Sequence, residues 1–175
     1  FASGTTFTHA YNPGGWNGAI CVASRNMLMT GRRLWFAKKE EPQLKKEVVP
    51  AGKTWPQIMK KAGYTTYMTG KWHVTKHVNP KDESEKFNWP QQRGFDRYYG
   101  IINGASSLWD PNSLVRGNEL ITCVNDSQYK PTEPYHFTDA VSDNAVRFVK
   151  EHEPNTPFFM YVSYTAAHWP MHARP

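Results

Sequence analysis

The sequence predicts an α/β sandwich, and two helix–strand units carry this prediction. The units are residues 54–68 and 138–163. In each, a segment with apolar residues at helical spacing is followed by a short turn and then by a run of β-branched and aromatic residues. Both strands are followed by polar residues, Lys71 and His73 after the first and His168 after the second. Ligands of α/β sheets bind beyond the carboxyl ends of the strands. We therefore expect these three side chains to share one site.

The elements before these units are shorter. Residues 5–11 are rich in β-forming residues and predict a strand, which the Asn-Pro-Gly-Gly turn at 12–15 ends. A short helix is predicted over 24–29, because these residues favour helix and Gly31 is a natural C-terminal stop. Residues 36–53 are charged and interrupted by proline, so we expect a surface excursion there.

The first helix–strand unit begins at Thr54, which can cap a helix whose first turn accommodates Pro56. The predicted apolar stripe of this helix consists of Trp55, Ile58, Met59 and Ala62. Gly63 ends the helix, and residues 64–68 form a short strand. Residues 74–93 are polar, and we expect a loop there.

The second unit follows a segment of mixed character, residues 94–136, for which no regular element is predicted. Its turn signals lie at 103–104, 110–111 and 117–118. Thr138 can cap the second helix. The apolar face of this helix consists of Val141, Ala145, Phe148, Val149 and His152. Residues 154–157 break the helix, and the apolar run at 158–163 predicts a buried strand.

A cysteine and an arginine four residues apart lie at the beginning of the first predicted helix. If this segment is helical, Cys21 and Arg25 point to the same side. The free N–H groups of a helix start attract anions, so the segment predicts an anion site that contains a potential nucleophile. The alternative is a buried structural cysteine, and the local pattern alone leaves both interpretations open.

Two signatures of this chain resemble those of the sulfatase family. Cys-Val-Ala-Ser-Arg at 21–25, followed by Thr-Gly-Arg at 30–32, resembles the family pattern Cys-x-Pro-Ser-Arg with a later Thr-Gly-Arg. Gly-Tyr-Thr-Thr at 63–66, followed by Gly-Lys-Trp-His at 70–73, is similar to the second family signature. One departure is Ala23, which stands where the family usually has proline.

Two looser resemblances, around 93–100 and 157–170, extend the similarity over nearly the whole chain. The resemblance implies an α/β/α sandwich around a largely parallel mixed sheet, of the alkaline-phosphatase-like type and incomplete. It also implies that residues 1–175 are the N-terminal part of a sulfatase catalytic domain, truncated at both ends. By the same resemblance the protein is expected in a periplasmic, secreted or lysosomal compartment.

The resemblance implies hydrolysis of aryl or carbohydrate sulfates. In the family, a maturation enzyme converts the cysteine, here Cys21, to formylglycine, whose hydrate is held on a divalent metal such as calcium and attacks sulfur. Arg25 would orient and stabilise that hydrate, and Lys71 would bind a sulfate oxygen. His73 would assist a proton transfer or contact the covalent sulfate. His168 would be the general acid beside the leaving oxygen and a substrate contact, since imidazole can hold a proton near neutral pH.

In the family, the oxygen ligands of the metal come from an adjacent Asp pair near the N-terminus of the domain and from a later Asp–Asn or similar pair. This chain contains no Asp-Asp pair, so the resemblance implies that the metal is bound mostly by residues before Phe1 and after Pro175, with residue 21 as one ligand. We therefore expect residues 1–175 alone to be inactive. His73 and His77 have the spacing of a zinc pair on a helix, but the strand before them and the loop after them argue against this.

The net charge of +6 favours anionic partners such as sulfate or phosphate esters, acidic glycans or nucleic acid. The resemblance implies that the partner is a sulfated small molecule or glycan. Lysine pairs are scattered without a recognised motif, and no apolar run is long enough to span a bilayer, so neither nucleic acid nor a membrane span is expected. Two other functions stay open. The protein could be a formylglycine-dependent phosphate or phosphonate ester hydrolase, or a non-catalytic relative that binds acidic glycans.

Overall fold

The computed structural model of the chain describes residues 3–11, 20–33, 54–74 and 83–174. Within them lies a mixed sheet of five strands, which are β1 (Thr65–Gly70), β2 (Arg97–Ile101), β3 (Leu114–Arg116), β4 (Glu119–Leu120) and β5 (Phe158–Ser163). The strand order is β4-β3-β2-β1-β5. β1 pairs in parallel with β2 and β5, whereas β2–β3 and β3–β4 are antiparallel. The α/β prediction is therefore confirmed, with a mixed sheet.

Three α-helices accompany the sheet in the described residues: α1 (Cys21–Thr30), α2 (Trp55–Lys61) and α3 (Phe137–Lys150). All three predicted helices are therefore confirmed. Gly31 ends α1 with a φ of 64°, a conformation that glycine adopts readily. Two 3₁₀ helices, Glu83–Asn88 and Gln91–Arg93, lie where the sequence predicted only a loop over 74–93.

The N-terminal end of α2 is fixed by side-chain hydrogen bonds. Thr54 precedes the helix, and its backbone N–H and hydroxyl donate to the side-chain oxygen of Gln57 at 3.2 and 2.9 Å. The predicted apolar stripe of this helix is wrong in part, because Ile58 is 52% exposed. A helix of only seven residues covers little of the sheet, and α2 packs mainly through Trp55, whose ring meets Phe95 edge-on at 5.4 Å.

The sheet buries apolar side chains on both faces, because neighbouring residues of a strand point to opposite sides. On one face Met68 and Tyr98 pack with Met29 of α1. On the other face Tyr67 and Tyr99 pack against α3. The residues that α3 contributes to this second cluster are Phe137, Ala140, Val141 and Phe148. Helices thus cover both faces, as an α/β/α sandwich requires.

The strand predicted over residues 5–11 is not formed. These residues are irregular, and Phe7 and Tyr11 are 79% and 85% exposed. A β-rich composition forms a strand only where a neighbouring strand supplies hydrogen bonds, and none of the described strands pairs with this segment. The turn predicted at 12–15 and the surface excursion predicted at 36–53 lie outside the described residues.

Two further differences concern the sheet. β5 forms over the predicted residues, but it lies at the edge of the described sheet, and Phe158, Phe159 and Val162 are each more than one-third exposed. The prediction that this strand is buried is therefore wrong for this chain. β2, β3 and β4 were not predicted. Their turn signal at 117–118 is confirmed, since it joins β3 to β4 with a φ of 62° at Gly117.

None of the described helices is both long and apolar enough to cross a membrane.

Candidate active site

The predicted site residues meet at the carboxyl ends of β1 and β5. These strands are parallel, and Gly70 at the end of β1 is in register with Ser163 at the end of β5. The segments that follow both strands therefore leave the sheet at the same edge. A pocket of about 430 Å³ opens there. Its lining residues are Cys21, His73, Asn103, Gly104, Ala105, Asn112, His168 and Trp169. The expectation of one shared site at this edge agrees with this geometry.

Cys21 is the first residue of α1 and lies beside Lys71. The ammonium nitrogen of Lys71 donates a hydrogen bond to Cys21 Sγ at 3.2 Å. Lys71 is only 2% exposed. This burial lowers the pKa of Lys71, the hydrogen bond to Cys21 opposes that shift, and the nearby charge of Arg25 adds to it. A buried cation therefore faces the side chain of residue 21.

Arg25 lies one helical turn after Cys21 and contacts the same lysine. Its Nη1 donates to the backbone carbonyl oxygen of Lys71 at 2.5 Å and to Ser163 Oγ at 2.7 Å. The Tyr161 hydroxyl lies 3.4 Å from the same nitrogen. Cys21 and Arg25 therefore point to the same side of α1, as their spacing predicted. This guanidinium nitrogen contacts the backbone that carries Lys71, whereas the role predicted for Arg25 toward a hydrate stays a prediction.

His73 lines the pocket in a backbone conformation that is unusual for a residue with a side chain. Its φ is 42°, and its N–H donates to the carbonyl of Ile102 at 3.0 Å. The imidazole packs directly on Gly104. A Cβ at residue 104 would lie 2.1 Å from His73 Cε1 and 2.3 Å from Nδ1. Only glycine at 104 therefore leaves room for the imidazole in this position.

His168 also lines the pocket, in the segment that follows β5. Its Nδ1 is 2.6 Å from the carbonyl oxygen of Trp169. A carbonyl oxygen only accepts hydrogen bonds, so Nδ1 carries a proton in this arrangement. In the neutral imidazole, Nε2 is then a hydrogen-bond acceptor.

Several residues of the site were not predicted as functional. Trp169 lines the pocket and is 67% exposed, which leaves its ring accessible. Asn112 also lines the pocket, and Ser106 holds it by accepting from its backbone N–H at 2.8 Å and donating to its side-chain oxygen at 3.3 Å. Trp169 directly follows His168, a predicted site residue, so its position in the sequence could have indicated that it lines the site. Asn112 carried no such signal, because the strands on either side of its loop were not predicted.

The described residues contain no group of three or more His, Cys, Asp or Glu side chains that could hold a metal ion. Cys21 and Cys123 are both free cysteines.

The profile of the sulfatase family matches residues 2–175, and the chain belongs to this family. It is 26% identical to arylsulfatase J of Mus musculus over 88% of this chain and 26% of that protein. It is 28% identical to an arylsulfatase of Hemicentrotus pulcherrimus over 95% of this chain and 31% of that protein. The chain thus spans about a quarter to a third of the length of these curated relatives.

Solved structures agree with the fold. The crystal structure of Ps i-CgsB superposes with a TM-score of 0.64 at 26% identity, covering 88% of this chain and 36% of that one. The same protein in complex with k-i-k-neocarrahexaose gives a TM-score of 0.63 at 25% identity, over 87% of this chain and 36% of that one. The alkaline-phosphatase-like α/β class predicted from the sequence is thereby confirmed.

Proposed function

We propose that the protein containing this chain is a sulfuric ester hydrolase, and that this chain supplies its nucleophile and the cation facing it. The observation that carries the proposal is the 3.2 Å contact between the Lys71 ammonium and Cys21 Sγ, beside a pocket shared with His73 and His168. Membership of the sulfatase family supports the same activity.

In this proposal residue 21 acts as formylglycine, and Cys21 Sγ marks the place that an oxygen of its hydrated side chain would take. The modified residue supplies a hydroxyl that can attack the sulfur of the ester and later release sulfate. Lys71 places a positive charge within contact distance of that position and stabilises the negative oxygens of the transferring group. Its burial strengthens this interaction, because little water competes for the charge.

The two histidines act on the substrate side of the pocket. We assign the general acid to His168, whose Nδ1–H donates to the Trp169 carbonyl and thereby fixes the orientation of the ring. Because Nδ1 keeps its proton, His168 can give a proton to the leaving oxygen from Nε2 only when the imidazole is charged. We assign to His73 the proton transfer or sulfate contact nearest residue 21.

A divalent metal, calcium or another, belongs to this proposal through the family resemblance, with residue 21 as one ligand. Such an ion would compensate negative charge on the transferring group. The described residues provide no ligand cluster for it, so we assign no step of the reaction to it. The enzyme that generates formylglycine would be a transient partner, and a periplasmic, secreted or lysosomal compartment is part of the same proposal.

The proposed substrate is a sulfated small molecule or glycan. Two comparisons support it, since Ps i-CgsB was crystallised with k-i-k-neocarrahexaose and a relative of 28% identity is the N-acetylgalactosamine-6-sulfatase of Homo sapiens. That relative is matched over 98% of this chain and 34% of its own length. The exposed ring of Trp169 offers a flat surface on which a sugar or aryl ring can stack. The side-chain amide of Asn112 can hydrogen-bond a hydroxyl group of a ligand in the pocket.

The test uses the full-length protein from a host with a formylglycine-generating enzyme. The peptide containing residue 21 is weighed first, and conversion of the thiol to an aldehyde predicts a loss of about 18 Da. Hydrolysis of an aryl sulfate and of the matching aryl phosphate is then compared for the wild type, Cys21→Ala and Cys123→Ala. We expect the sulfate to be preferred, activity to vanish in C21A, and C123A to retain it. An unmodified thiol, or full activity in C21A, would refute the proposal, and preference for the phosphate would favour the alternative hydrolase.

A further inference from the structure

The backbone carbonyl of Lys71 accepts hydrogen bonds from two side chains on different elements. Arg25 Nη1 of α1 donates to it at 2.5 Å, and Ser163 Oγ of β5 donates to it at 3.0 Å. These two side chains also contact each other, since Arg25 Nη1 donates to Ser163 Oγ at 2.7 Å. The three groups form a closed triangle, and the single hydroxyl proton of Ser163 suffices because this hydroxyl donates once and accepts once.

Ser163 holds Lys71 through its backbone as well. The Lys71 N–H donates to the Ser163 carbonyl at 2.8 Å, just beyond the last paired residue of β1, Gly70. The approach is so close that a Cβ on Gly70 would lie 1.9 Å from that carbonyl oxygen. Ser163 is 5% and Lys71 2% exposed, so water competes little for these hydrogen bonds.

A lysine side chain needs such an anchor. It has several rotatable bonds, and holding its ammonium group in one place costs conformational entropy. At its far end, the ammonium nitrogen donates a hydrogen bond to Cys21 Sγ. The direction in which the side chain leaves the backbone therefore depends on what fixes the backbone of Lys71. Its N–H donates to the Ser163 carbonyl, the next N–H, of Trp72, donates to the Ile101 carbonyl, and its own carbonyl accepts from the side chains of Arg25 and Ser163. Only this last contact is made by side chains.

We propose that Ser163 is a positioning residue of the sulfate ester hydrolysis, which acts by fixing the backbone of Lys71 together with Arg25 and so sets the distance between the Lys71 ammonium and residue 21. This inference rests on the proposed function. In this proposal Ser163 contacts neither the substrate nor residue 21, and it affects the reaction rate only through the position of Lys71.

The test is a double-mutant cycle in the full-length, matured enzyme. Ser163→Ala removes both side-chain hydrogen bonds, Ser163→Thr keeps the hydroxyl, and Lys71→Met removes the charge at similar length. We expect S163A to lower kcat about tenfold to a hundredfold with a smaller change in KM, and S163T to restore most of it. In the K71M background, S163A should change kcat/KM by less than about twofold, because effects through one group are not additive. Ser142→Ala removes the side-chain hydrogen bonds of Ser142 with the Thr138 carbonyl, inside α3, and with the Tyr164 hydroxyl, and it should leave kcat unchanged.

Full activity in S163A, or an equal loss from S163A with and without Lys71, would overturn the positioning role. If Ser163 had a purely structural role, S163A would cause the same loss of activity in the wild type and in K71M, and it would lower the Tm of both proteins. A second measurement needs no sulfatase activity, because unconverted protein is used and the rate at which iodoacetamide alkylates Cys21 is followed. S163A and K71M should each slow this reaction, and the double variant should be no slower than K71M. If the wild type hydrolyses no sulfate ester, the proposed function fails, while the alkylation cycle still supports or overturns the positioning role.

Discussion

Replacing Gly104 by alanine should displace His73 from the pocket while leaving the fold intact. The added Cβ would lie 2.1 Å from His73 Cε1, whereas ordinary contact begins at 3.4 Å, so the imidazole must move by about 1.3 Å or more. The three atoms nearest to this Cβ all belong to that imidazole, and a side chain can rotate where a backbone cannot. Misplacing a catalytic group by about 1 Å can cost about a hundredfold in rate. We therefore expect G104A to lose about that factor in kcat/KM.

The assay compares sulfate ester hydrolysis and the Tm of the full-length protein in four forms: wild type, Gly104→Ala, His73→Ala and the double variant. The Tm of G104A should stay within a few degrees of the wild type, since the clash falls on a side chain at the surface of a pocket. Gly4→Ala is the matched control, because nothing lies within 4 Å of its added Cβ, and it should be silent. Unchanged activity in G104A, or an undiminished loss when His73 is already absent, would refute the reasoning.

Two predictions concern stability. Asp126 binds Arg116 at 2.6 Å with the two side chains only 3% and 11% exposed, so Asp126→Ala should destabilise the fold by about 3–5 kcal/mol in urea unfolding. The control is Glu119→Ala, because Glu119 is exposed and lies on β4, beside the strand that carries Arg116. It should change the free energy of unfolding by less than about 0.5 kcal/mol, and equal losses in the two variants would contradict the argument. Burial lowers the pKa of Lys71 in the folded state, so between that pKa and about 10.4 the unfolded chain binds more protons and stability rises with pH. The free energy of unfolding of Lys71→Met should therefore exceed that of the wild type at pH 7, and the difference should become smaller toward pH 9.5. If the difference between the two proteins does not change with pH, this explanation is wrong.

The sequence was sufficient to predict those parts of the fold that depend on local residue preferences. Gly31 indicated the end of α1, and Thr54 followed by Pro56 indicated the beginning of α2. It failed where an element depends on its partners. Residues 5–11 have the composition of a strand without a paired strand among those described, and β3 and β4 are too short to show periodicity.

The candidate site divides in the same way. Cys21, Lys71 and His73, which belong to the two sequence signatures, come together at one edge of the sheet. Cys21 begins a helix, and Lys71 and His73 come just after a strand, so local sequence was sufficient to place them. Ser163 and Asn112 were missed. The first was counted only as a strand residue, and its contact with Lys71 joins positions 92 residues apart. The second depends on a loop between two unpredicted strands, so neither local pattern could place it.

The short signature at residues 70–73 combines structural and chemical tasks. Gly70 permits the close passage of β1 beside β5, where a side chain would strike the Ser163 carbonyl. Trp72 points into the core cluster, 1% exposed, and its Nε1 donates to the Asn88 carbonyl at 2.9 Å. The buried Trp72 thus anchors the backbone between Lys71, whose ammonium contacts residue 21, and His73, whose φ of 42° turns the chain where its imidazole lines the pocket. The apolar residue of the signature therefore helps to hold the backbone that carries its two polar residues.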